Sequence, residues 1–357
     1  MSTSPAEKPT VDVHAHILLP ALQQLVAEGD PEGFGAQQAL EVRRNGPESM
    51  AASGKMIKER WPQLTDLDRR LADMDAQGVD VQLVSPSPSH FYYFAAEELA
   101  LQVAKAANQA VREFVDRAPE RLNGLGLVPL QHPSLMVEAL DHAMLECGLL
   151  GVEIGSFAAT PTDPERSTVE LSDPRLEPFW SRAEELGALV FLHPFGCSLD
   201  ERLDRFYLAN TVSQPAENAV ALSHLIFSGV LDRHPDLRVL AAHGGGYLPT
   251  SLGRSDHAWR VRPEAHGCAQ PPSSYVKKLF FDSLVHSPAE LRALVAAAGP
   301  GQVLVGSDYP FDMGSDRPVA EVIEAQLSAE DEARVLAGNA AALGITPASI
   351  LTARRTA

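Results

Sequence analysis

The chain of 357 residues is 45% hydrophobic and 6% aromatic, a composition typical of a folded protein with a large core and not of a disordered or fibrous chain. It carries 29 Lys and Arg against 47 Asp and Glu, which gives a formal net charge of −18. Such an acidic field repels the phosphates of nucleic acids and anionic membrane surfaces. We therefore expect neither a nucleic acid nor a membrane among its partners.

Cysteine usage and the N-terminal sequence both bear on the cellular compartment. Cys147, Cys197 and Cys268 are far apart and show no paired spacing, which fits reduced thiols better than a disulfide framework. The N-terminus lacks the charged and then apolar layout of a signal peptide, and no apolar stretch approaches the roughly 20 residues of a membrane span. These features predict a cytoplasmic protein.

Eight short apolar runs recur along the chain, and longer segments with helical periodicity separate most of them. The predicted strands are Val11–Val13, Val79–Val84, Leu122–Val128, Gly151–Ile154, Leu189–Leu192, Leu237–Ala242, Leu279–Phe281 and Val303–Val305. The predicted helices are Leu67–Gln77, Ala96–Ala118, Leu135–Cys147, Leu176–Leu186, Pro215–Leu231, Pro288–Ala298, Pro318–Leu327 and Ala329–Leu336.

This alternation indicates parallel strands with crossover helices, and no linker marks a second domain. We therefore predict a (β/α)8 barrel that forms a single domain over residues 1–357. Two insertions interrupt the repeat, residues 21–66 after the first strand and residues 250–277 after the sixth strand. Both leave the carboxyl ends of strands, where barrel active sites lie, and we expect them to act as lids or subunit contacts.

Polar side chains stand at or near the ends of several predicted strands. In the segment Val11-Asp12-Val13-His14-Ala15-His16 the two histidines share one face of an extended chain. Taken alone, this pair could equally be satisfied by its neighbours at a strand end. His193, His243 and Asp308 also terminate apolar runs, and closing the strands into a barrel brings all five to one mouth.

Neutral imidazoles with a carboxylate and no clustered thiolates suit a divalent ion. We predict one metal ion, zinc with manganese as the alternative, on His14, His16, His193 and Asp308, and no organic cofactor. His243, which Gly244-Gly245-Gly246 follows, is the predicted general acid and base. Glu153 is the only candidate to bridge a second metal, and pairing with a strand neighbour is the better interpretation for it.

Three further residues have two interpretations each. Arg254 and Arg262 could bind a carboxylate through their guanidinium forks, or they could pair with Asp256 or Glu264 on a solvated face. Asp282, after the seventh strand, could orient a ligand histidine or cap the following helix. The residues alone do not decide between these roles.

The chain resembles the aminocarboxymuconate-semialdehyde decarboxylase family of the amidohydrolase superfamily. The motifs that carry the resemblance are Ala242-His243-Gly244-Gly245-Gly246, Gly253-Arg254, Arg262-Pro263, Phe281-Asp282-Ser283-Leu284-Val285-His286 and Gly306-Ser307-Asp308-Tyr309-Pro310-Phe311, with weaker matches at residues 12–18 and 74–79. The resemblance implies a TIM barrel with one metal on residues that match His14, His16, His193 and Asp308, and a catalytic histidine that matches His243.

The resemblance also implies a homodimer in which the arginine that matches Arg254 reaches a substrate carboxylate from the neighbouring subunit. In one place the sequence departs from the family pattern. The family's substrate-binding arginine on the first loop aligns approximately with Lys58, with Arg60 nearby, and lysine offers a point charge in place of a fork.

The leading functional hypothesis is a metal-dependent, non-oxidative decarboxylase of a small unsaturated or aromatic carboxylic acid. The alternative is a hydrolase or hydratase that uses a metal-bound hydroxide, because both chemistries need the same metal ligands. A barrel that only binds a ligand is a third hypothesis. It is weakened because no member of the histidine and aspartate set is missing.

Overall fold

The structure is a computed structural model of the chain that describes residues 9–159 and 168–347. The N-terminal segment that is predicted not to be a signal peptide falls mainly on residues 1–8, which lie outside this range. Residues 348–357, at the other end of the predicted domain, also lie outside it. The extent of the single domain therefore stays a prediction.

The described residues form a closed ring of eight parallel strand positions, so the predicted (β/α)8 barrel is confirmed. The strands are Val11–Ile17, Val81–Pro86, Leu122–Gly124 with Gly126–Leu127, Gly151–Ile154, Leu189–Leu192, Arg238–Ala241, Phe280–Asp282 and Val303–Leu304. Two contacts close the ring between the first and last positions: parallel bridges join Asp12 to Val305 and Ala15 to Tyr309.

The third strand position is split where the two sheets of the ring meet. The backbone N–H of Leu125 donates to Val84 on the second strand at 2.9 Å, and the N–H of Leu150 donates to Gly124 at 3.0 Å. Inside the ring, apolar side chains such as Val13, Leu83 and Phe191 form an interior cluster. A larger apolar cluster fills the space between the strands and the surrounding helices.

The helices over the described ranges follow local sequence signals. The helix Leu67–Gln77 is capped at its N-terminus by Asp66, whose side chain accepts a hydrogen bond from the Asp68 N–H, and at its C-terminus by Gly78 with φ 74°. The α-helices are Pro20–Gly29, Pro31–Glu59, Trp61–Thr65, Leu67–Gln77, Glu97–Asp116, Met136–Asp141, Glu177–Leu186, Leu208–Thr211, Ser213–Phe227, Val230–Arg233, Gly253–Val261, Pro288–Ala298, Pro318–Glu324, Ala329–Ala333 and Asn339–Ala342. None of those described has the length and apolar character of a membrane span.

Several predicted boundaries are wrong for local reasons. The first strand runs to Ile17, because the two histidines are buried within it and continue its pairing with the second strand. The helix predicted over Pro215–Leu231 is two helices, since Gly229 turns the chain with φ 72°. The insertion at residues 21–66 is largely helical, and its long helix Pro31–Glu59 is kinked at Gly46.

Candidate active site and metal centre

The first strand places the imidazole rings of His14 and His16 next to each other. His14 and His16 are fully buried, their ring centroids are 5.0 Å apart, and their Nε2 atoms are 3.1 Å apart. The backbone fixes both residues to the eighth strand position and the segment after it, because the Asp308 N–H donates to the His14 carbonyl and the His16 N–H donates to the Tyr309 carbonyl. Both rings therefore face the segment that carries Asp308.

Four side chains converge at the carboxyl ends of the strands. His14, His16, His193 and Asp308 each offer one ligand atom, and these atoms lie within 4.8 Å of one another. Asp308 Oδ1 is 3.4 Å from His14 Nε2 and 3.2 Å from His16 Nε2. Three imidazole nitrogens with one carboxylate oxygen form a donor set for a divalent transition ion.

The donor atoms left without hydrogen-bond partners support a cation at this point. His193 Nε2 and Asp308 Oδ1 are buried, and neither has a hydrogen-bond partner among the described residues. An unsatisfied buried polar atom costs about 1–3 kcal/mol. A cation between them would satisfy both atoms, so the residues present fit a metal ion.

The other ring nitrogen of each histidine in this group faces a polar partner. His14 Nδ1 is 2.6 Å from Asp282 Oδ2, His16 Nδ1 is 3.1 Å from Ser85 Oγ, and His193 Nδ1 is 3.0 Å from the carbonyl of Pro194. Such partners hold a ligand histidine in one tautomer with its free nitrogen toward the ion. Sequence reasoning misses Ser85, although it too lies on a strand at the ring's carboxyl end.

The buried charges of this group act strongly on one another. Burial disfavours the charged ring of His14, but the carboxylates of Asp308 and Asp282 raise its pKa to about 10. Burial and neighbouring imidazoles hold the pKa of His193 well below its usual range. Burial opposes ionisation of Asp308, yet the adjacent imidazoles keep its pKa well below its usual range. A metal ion would therefore compete with a proton on His14.

Asp282 connects the cluster to the loop after the sixth strand. Besides facing His14, its carboxylate accepts the backbone N–H of His243 at 2.9 Å and that of Gly244 at 2.8 Å. The His14 hydrogen bond and charge outweigh burial and lower the pKa of Asp282. The cap of the following helix is Ser287, so the structure places Asp282 against a ligand histidine and not at that cap.

His243 stands beside the four-residue cluster. Its ring centroid is 5.2 Å from that of His14 and 5.0 Å from that of His193, and its Nε2 is 3.7 Å from Asp308 Oδ2. His243 and the glycines after it have positive φ angles. A Cβ on Gly244 would lie 2.5 Å from Val285 Cγ1, so the turn that presents His243 requires glycine there.

A cavity of about 910 Å³ opens over the cluster. His193, His243 and Asp308 form part of its wall, and the helical insertion contributes apolar side chains such as Met56 and Ile57. Among the described residues, no lysine or arginine lines it. The described wall of one chain therefore offers a bound carboxylate histidine side chains but no guanidinium or ammonium group.

The single chain does not bring the predicted substrate-binding residues into the cavity. Lys58 is exposed although its neighbour Ile57 lines the wall. Arg254 is exposed on the helix Gly253–Val261, and Arg262 is exposed and forms an ion pair with Glu264. Arg60, the alternative to Lys58, donates to the carbonyl of Pro310 at 2.7 Å and so contributes to the structure of the rim.

Glu153 is fully buried, and neither carboxylate oxygen has a hydrogen-bond partner among the described residues. Burial raises the pKa of Glu153 well above its usual range and so disfavours the carboxylate form that a bridging ligand would need. The described residues contain one group with the spacing of a metal site, and Glu153 does not belong to it.

Comparison with protein families and curated proteins connects this geometry to known enzymes. The family model described as Amidohydrolase matches residues 11–343. The chain is 34% identical over 342 residues to the 2-amino-3-carboxymuconate-6-semialdehyde decarboxylase of Dictyostelium discoideum, covering 94% of this chain and 92% of the relative. It is 29% identical to the gamma-resorcylate decarboxylase of Rhodococcus jostii (strain RHA1), covering 85% of this chain and 97% of the relative.

Solved structures support the fold. A dihydroxybenzoic acid decarboxylase from Polaromonas sp. JS666 with bound manganese and the inhibitor 2-nitroresorcinol has a TM-score of 0.78 at 22% identity, covering 94% of this chain and 96% of that one. The 5-carboxyvanillate decarboxylase of Sphingomonas paucimobilis has a TM-score of 0.75 at 24% identity, covering 94% and 98% of the two chains. At these identities the likeness shows a shared fold.

Proposed function

The chain belongs to the amidohydrolase family, and on that premise we propose that it is a metal-dependent carboxy-lyase that decarboxylates an aromatic or unsaturated acid without oxidation. The observation that carries this proposal is the position of His243 beside a four-residue ligand cluster at the base of a large cavity. The relatives named above supply the reaction class.

His14, His16, His193 and Asp308 would hold the divalent ion. A bound ion supplies Lewis-acid polarisation of the substrate oxygens. Three nitrogen donors and one oxygen donor suit zinc, and the manganese in the Polaromonas structure makes manganese the second candidate. No organic cofactor is needed, because the substrate's own conjugation can stabilise the charge left on carbon.

His243 would supply the proton that replaces carbon dioxide. The bond between the substrate carbon and its carboxylate breaks, carbon dioxide leaves, and the electron pair remains on the carbon. Protonated His243 then gives its proton to that carbon and regains one from solvent. Asp282 would support this step by positioning His243, because its carboxylate accepts a hydrogen bond from the His243 backbone N–H, with 2.9 Å between nitrogen and oxygen.

A second copy of the chain would complete the substrate site. We propose a homodimer in which Arg254 of one copy reaches a substrate carboxylate in the other, with Lys58 and Arg262 as further contacts to anionic groups. The absence of lysine and arginine from the described cavity wall supports this arrangement, and so does the exposure of all three side chains. Their guanidinium and ammonium groups would offset the acidic field of the chain.

We also propose a cytoplasmic location and a small-molecule carboxylate as the binding partner. Cys147, Cys197 and Cys268 are free and buried, which suits a reducing compartment. The net charge of −18 argues against nucleic acid as a partner.

A substrate panel tests the proposed reaction. Manganese-loaded and zinc-loaded protein is incubated with gamma-resorcylate, 5-carboxyvanillate, 6-methylsalicylate and 2-amino-3-carboxymuconate-6-semialdehyde, and released carbon dioxide is measured. We expect release from at least one acid and its loss in His243→Ala with metal content unchanged. A product that gains water and keeps its carboxyl carbon would instead indicate a hydratase or hydrolase.

A further inference from the structure

Arg70 is a buried cation beneath the candidate metal centre. It lies on the helix Leu67–Gln77, in the same stripe as the buried Leu67 and Met74, and its side chain is fully buried. One guanidinium nitrogen, Nη2, donates to the backbone carbonyl of His16 at 2.5 Å. The guanidinium also lies 4.7 Å from the centre of the Tyr309 ring.

The other terminal nitrogen of Arg70 reaches the first strand through an amide. Nη1 donates to Gln82 Oε1 at 2.6 Å, and Gln82 Nε2 donates to Asp12 Oδ2 at 2.9 Å. Both Gln82 and Asp12 are fully buried. Since one end of the amide accepts from a cation and the other donates to an anion, the orientation of the Gln82 side chain is fixed.

Asp12 in turn joins the first strand to the segment that carries Asp308. Its carboxylate accepts the backbone N–H of His14 at 3.1 Å and the N–H and hydroxyl of Ser307 at 3.0 and 2.6 Å. Ser307 immediately precedes Asp308. The network of Arg70, Gln82, Asp12 and Ser307 thus touches the backbone beside three of the four proposed metal ligands.

We propose that Arg70 is a positioning residue for the metal centre, which acts through the His16 carbonyl and through Gln82, Asp12 and Ser307 to fix the spacing between the ligands of the first strand and Asp308. This inference rests on the proposed metal-dependent function. It goes beyond that function because it assigns a role to buried groups that do not line the cavity.

The chemistry of the network favours positioning over stability alone. Buried charged groups are often no more stabilising than well-packed apolar side chains of similar volume. Arginine supplies two separate directed donors, which lysine cannot match with one point charge. Here Nη2 donates directly to the strand of His14 and His16. Nη1 is connected to the same strand and to the Asp308 segment through Gln82 and Asp12.

Metal binding by three variants tests the proposal. Arg70→Lys keeps the charge without the fork, and Arg70→Met removes both. Ser307→Ala removes the hydroxyl hydrogen bond to Asp12, one of the two hydrogen bonds between Ser307 and Asp12, without removing a charge. The dissociation constant for Mn²⁺ is measured by competition with a chelator, and the visible absorption of bound Co²⁺ reports ligand geometry. Tyr275→Phe is the control, because it loses a buried hydroxyl that donates to Asp232 outside the network.

We expect the Mn²⁺ dissociation constant to rise roughly 10- to 100-fold in Arg70→Met and Ser307→Ala, less in Arg70→Lys, with an altered Co²⁺ spectrum in all three and no change in Tyr275→Phe. If Arg70→Met does not fold, the results for Ser307→Ala and Arg70→Lys test the positioning role. Mn²⁺ affinity within twofold of the parent and an unchanged Co²⁺ spectrum in those two would overturn the proposal.

The parent protein separates this inference from the proposed reaction. If the parent binds Mn²⁺ but releases no carbon dioxide from any acid, the decarboxylase proposal fails while the positioning role of Arg70 is still measured. If the parent decarboxylates and the variants keep their Mn²⁺ affinity, the positioning role fails and the reaction stands.

Discussion

At the scale of single residues, Asp282 serves the metal centre and the proposed proton donor together. One oxygen faces His14 at 2.6 Å and accepts the His243 N–H at 2.9 Å, while the other accepts the Gly244 N–H at 2.8 Å. His14 is a proposed ligand and His243 the proposed source of the proton. A change at this one carboxylate should therefore disturb both metal affinity and turnover.

Asp282→Asn tests this double role. The amide keeps the volume but loses the negative charge that stabilises the proton on His14 Nδ1. We expect Mn²⁺ affinity and decarboxylation each to fall roughly 10- to 100-fold, as measured by chelator competition and carbon dioxide release. Ser283→Ala, at the neighbouring position, is the control. Parent-like values in Asp282→Asn would remove the carboxylate from both roles.

The buried ring of His90 is expected to make the free energy of unfolding depend on pH. Burial, and then the charge of His16, lowers its pKa to about 4, and its Nε2 accepts the Leu19 N–H at 3.0 Å. The unfolded chain, with an ordinary pKa near 6.5, binds more protons between pH 6.5 and 4. The His90 contribution to stability is thus complete above pH 6.5 and is lost as the pH falls toward 4.

His90→Gln keeps an acceptor for Leu19 and removes this titration. We expect the free energy of unfolding of the variant to fall less steeply with acid, by up to about 1.4 kcal/mol per pH unit between pH 6.5 and 4. Urea unfolding of both chelator-treated proteins across this range measures the difference. If the free energies of unfolding of the two proteins changed in parallel with pH, the His90 ring would not be held neutral in the folded protein.

At the scale of elements, the turn after the sixth strand sets the position of His243. Gly244 has φ 60°, and a Cβ there would lie 2.5 Å from Val285 Cγ1. We expect Gly244→Ala to displace the His243 ring and lower kcat about 100-fold while metal content stays at the parent value. Gly301→Ala, where the added Cβ meets no atom within 4 Å, is the control. Full activity in Gly244→Ala would mean that the turn tolerates a side chain.

The first strand and the helix Leu67–Gln77 differ in how much of their role could be predicted from the sequence. The two histidines of the first strand could be predicted to share a face, because alternation is a local property of an extended chain. The burial of Arg70 could not be taken from composition, since a cation on an amphipathic helix is usually exposed. In the sequence, only the position of Arg70 on the same helix face as Leu67 and Met74 indicates that it is buried. Its hydrogen-bond partner Gln82, and the contact of Gln82 with Asp12, become known only from the structure.

At the scale of the whole molecule, closure of the ring brings His14, His193 and Asp308 together from three distant parts of the chain. The sequence predicts that convergence because strand order in a barrel follows chain order. It does not reveal that Lys58 and Arg254 stand outside the cavity of their own chain, because that depends on the packing of the helical insertions.

Mixing two impaired variants tests the proposed shared site. His243→Ala lacks the proton donor and Arg254→Ala lacks the arginine offered to the neighbour. In a hybrid dimer, one site combines His243 from one copy with Arg254 from the other. We expect an equal mixture, after subunit exchange, to recover about a quarter of the parent activity. Activity no higher than the mean of the two separate variants would place Arg254 outside the neighbour's site.

Anomalous diffraction from crystals loaded with Mn²⁺ shows whether one divalent ion binds to His14, His16, His193 and Asp308 together. The predicted result is a single anomalous peak per chain at about 2.0–2.3 Å from one atom of each of the four residues. A peak elsewhere, or no peak after soaking in saturating Mn²⁺, would rule out this metal site.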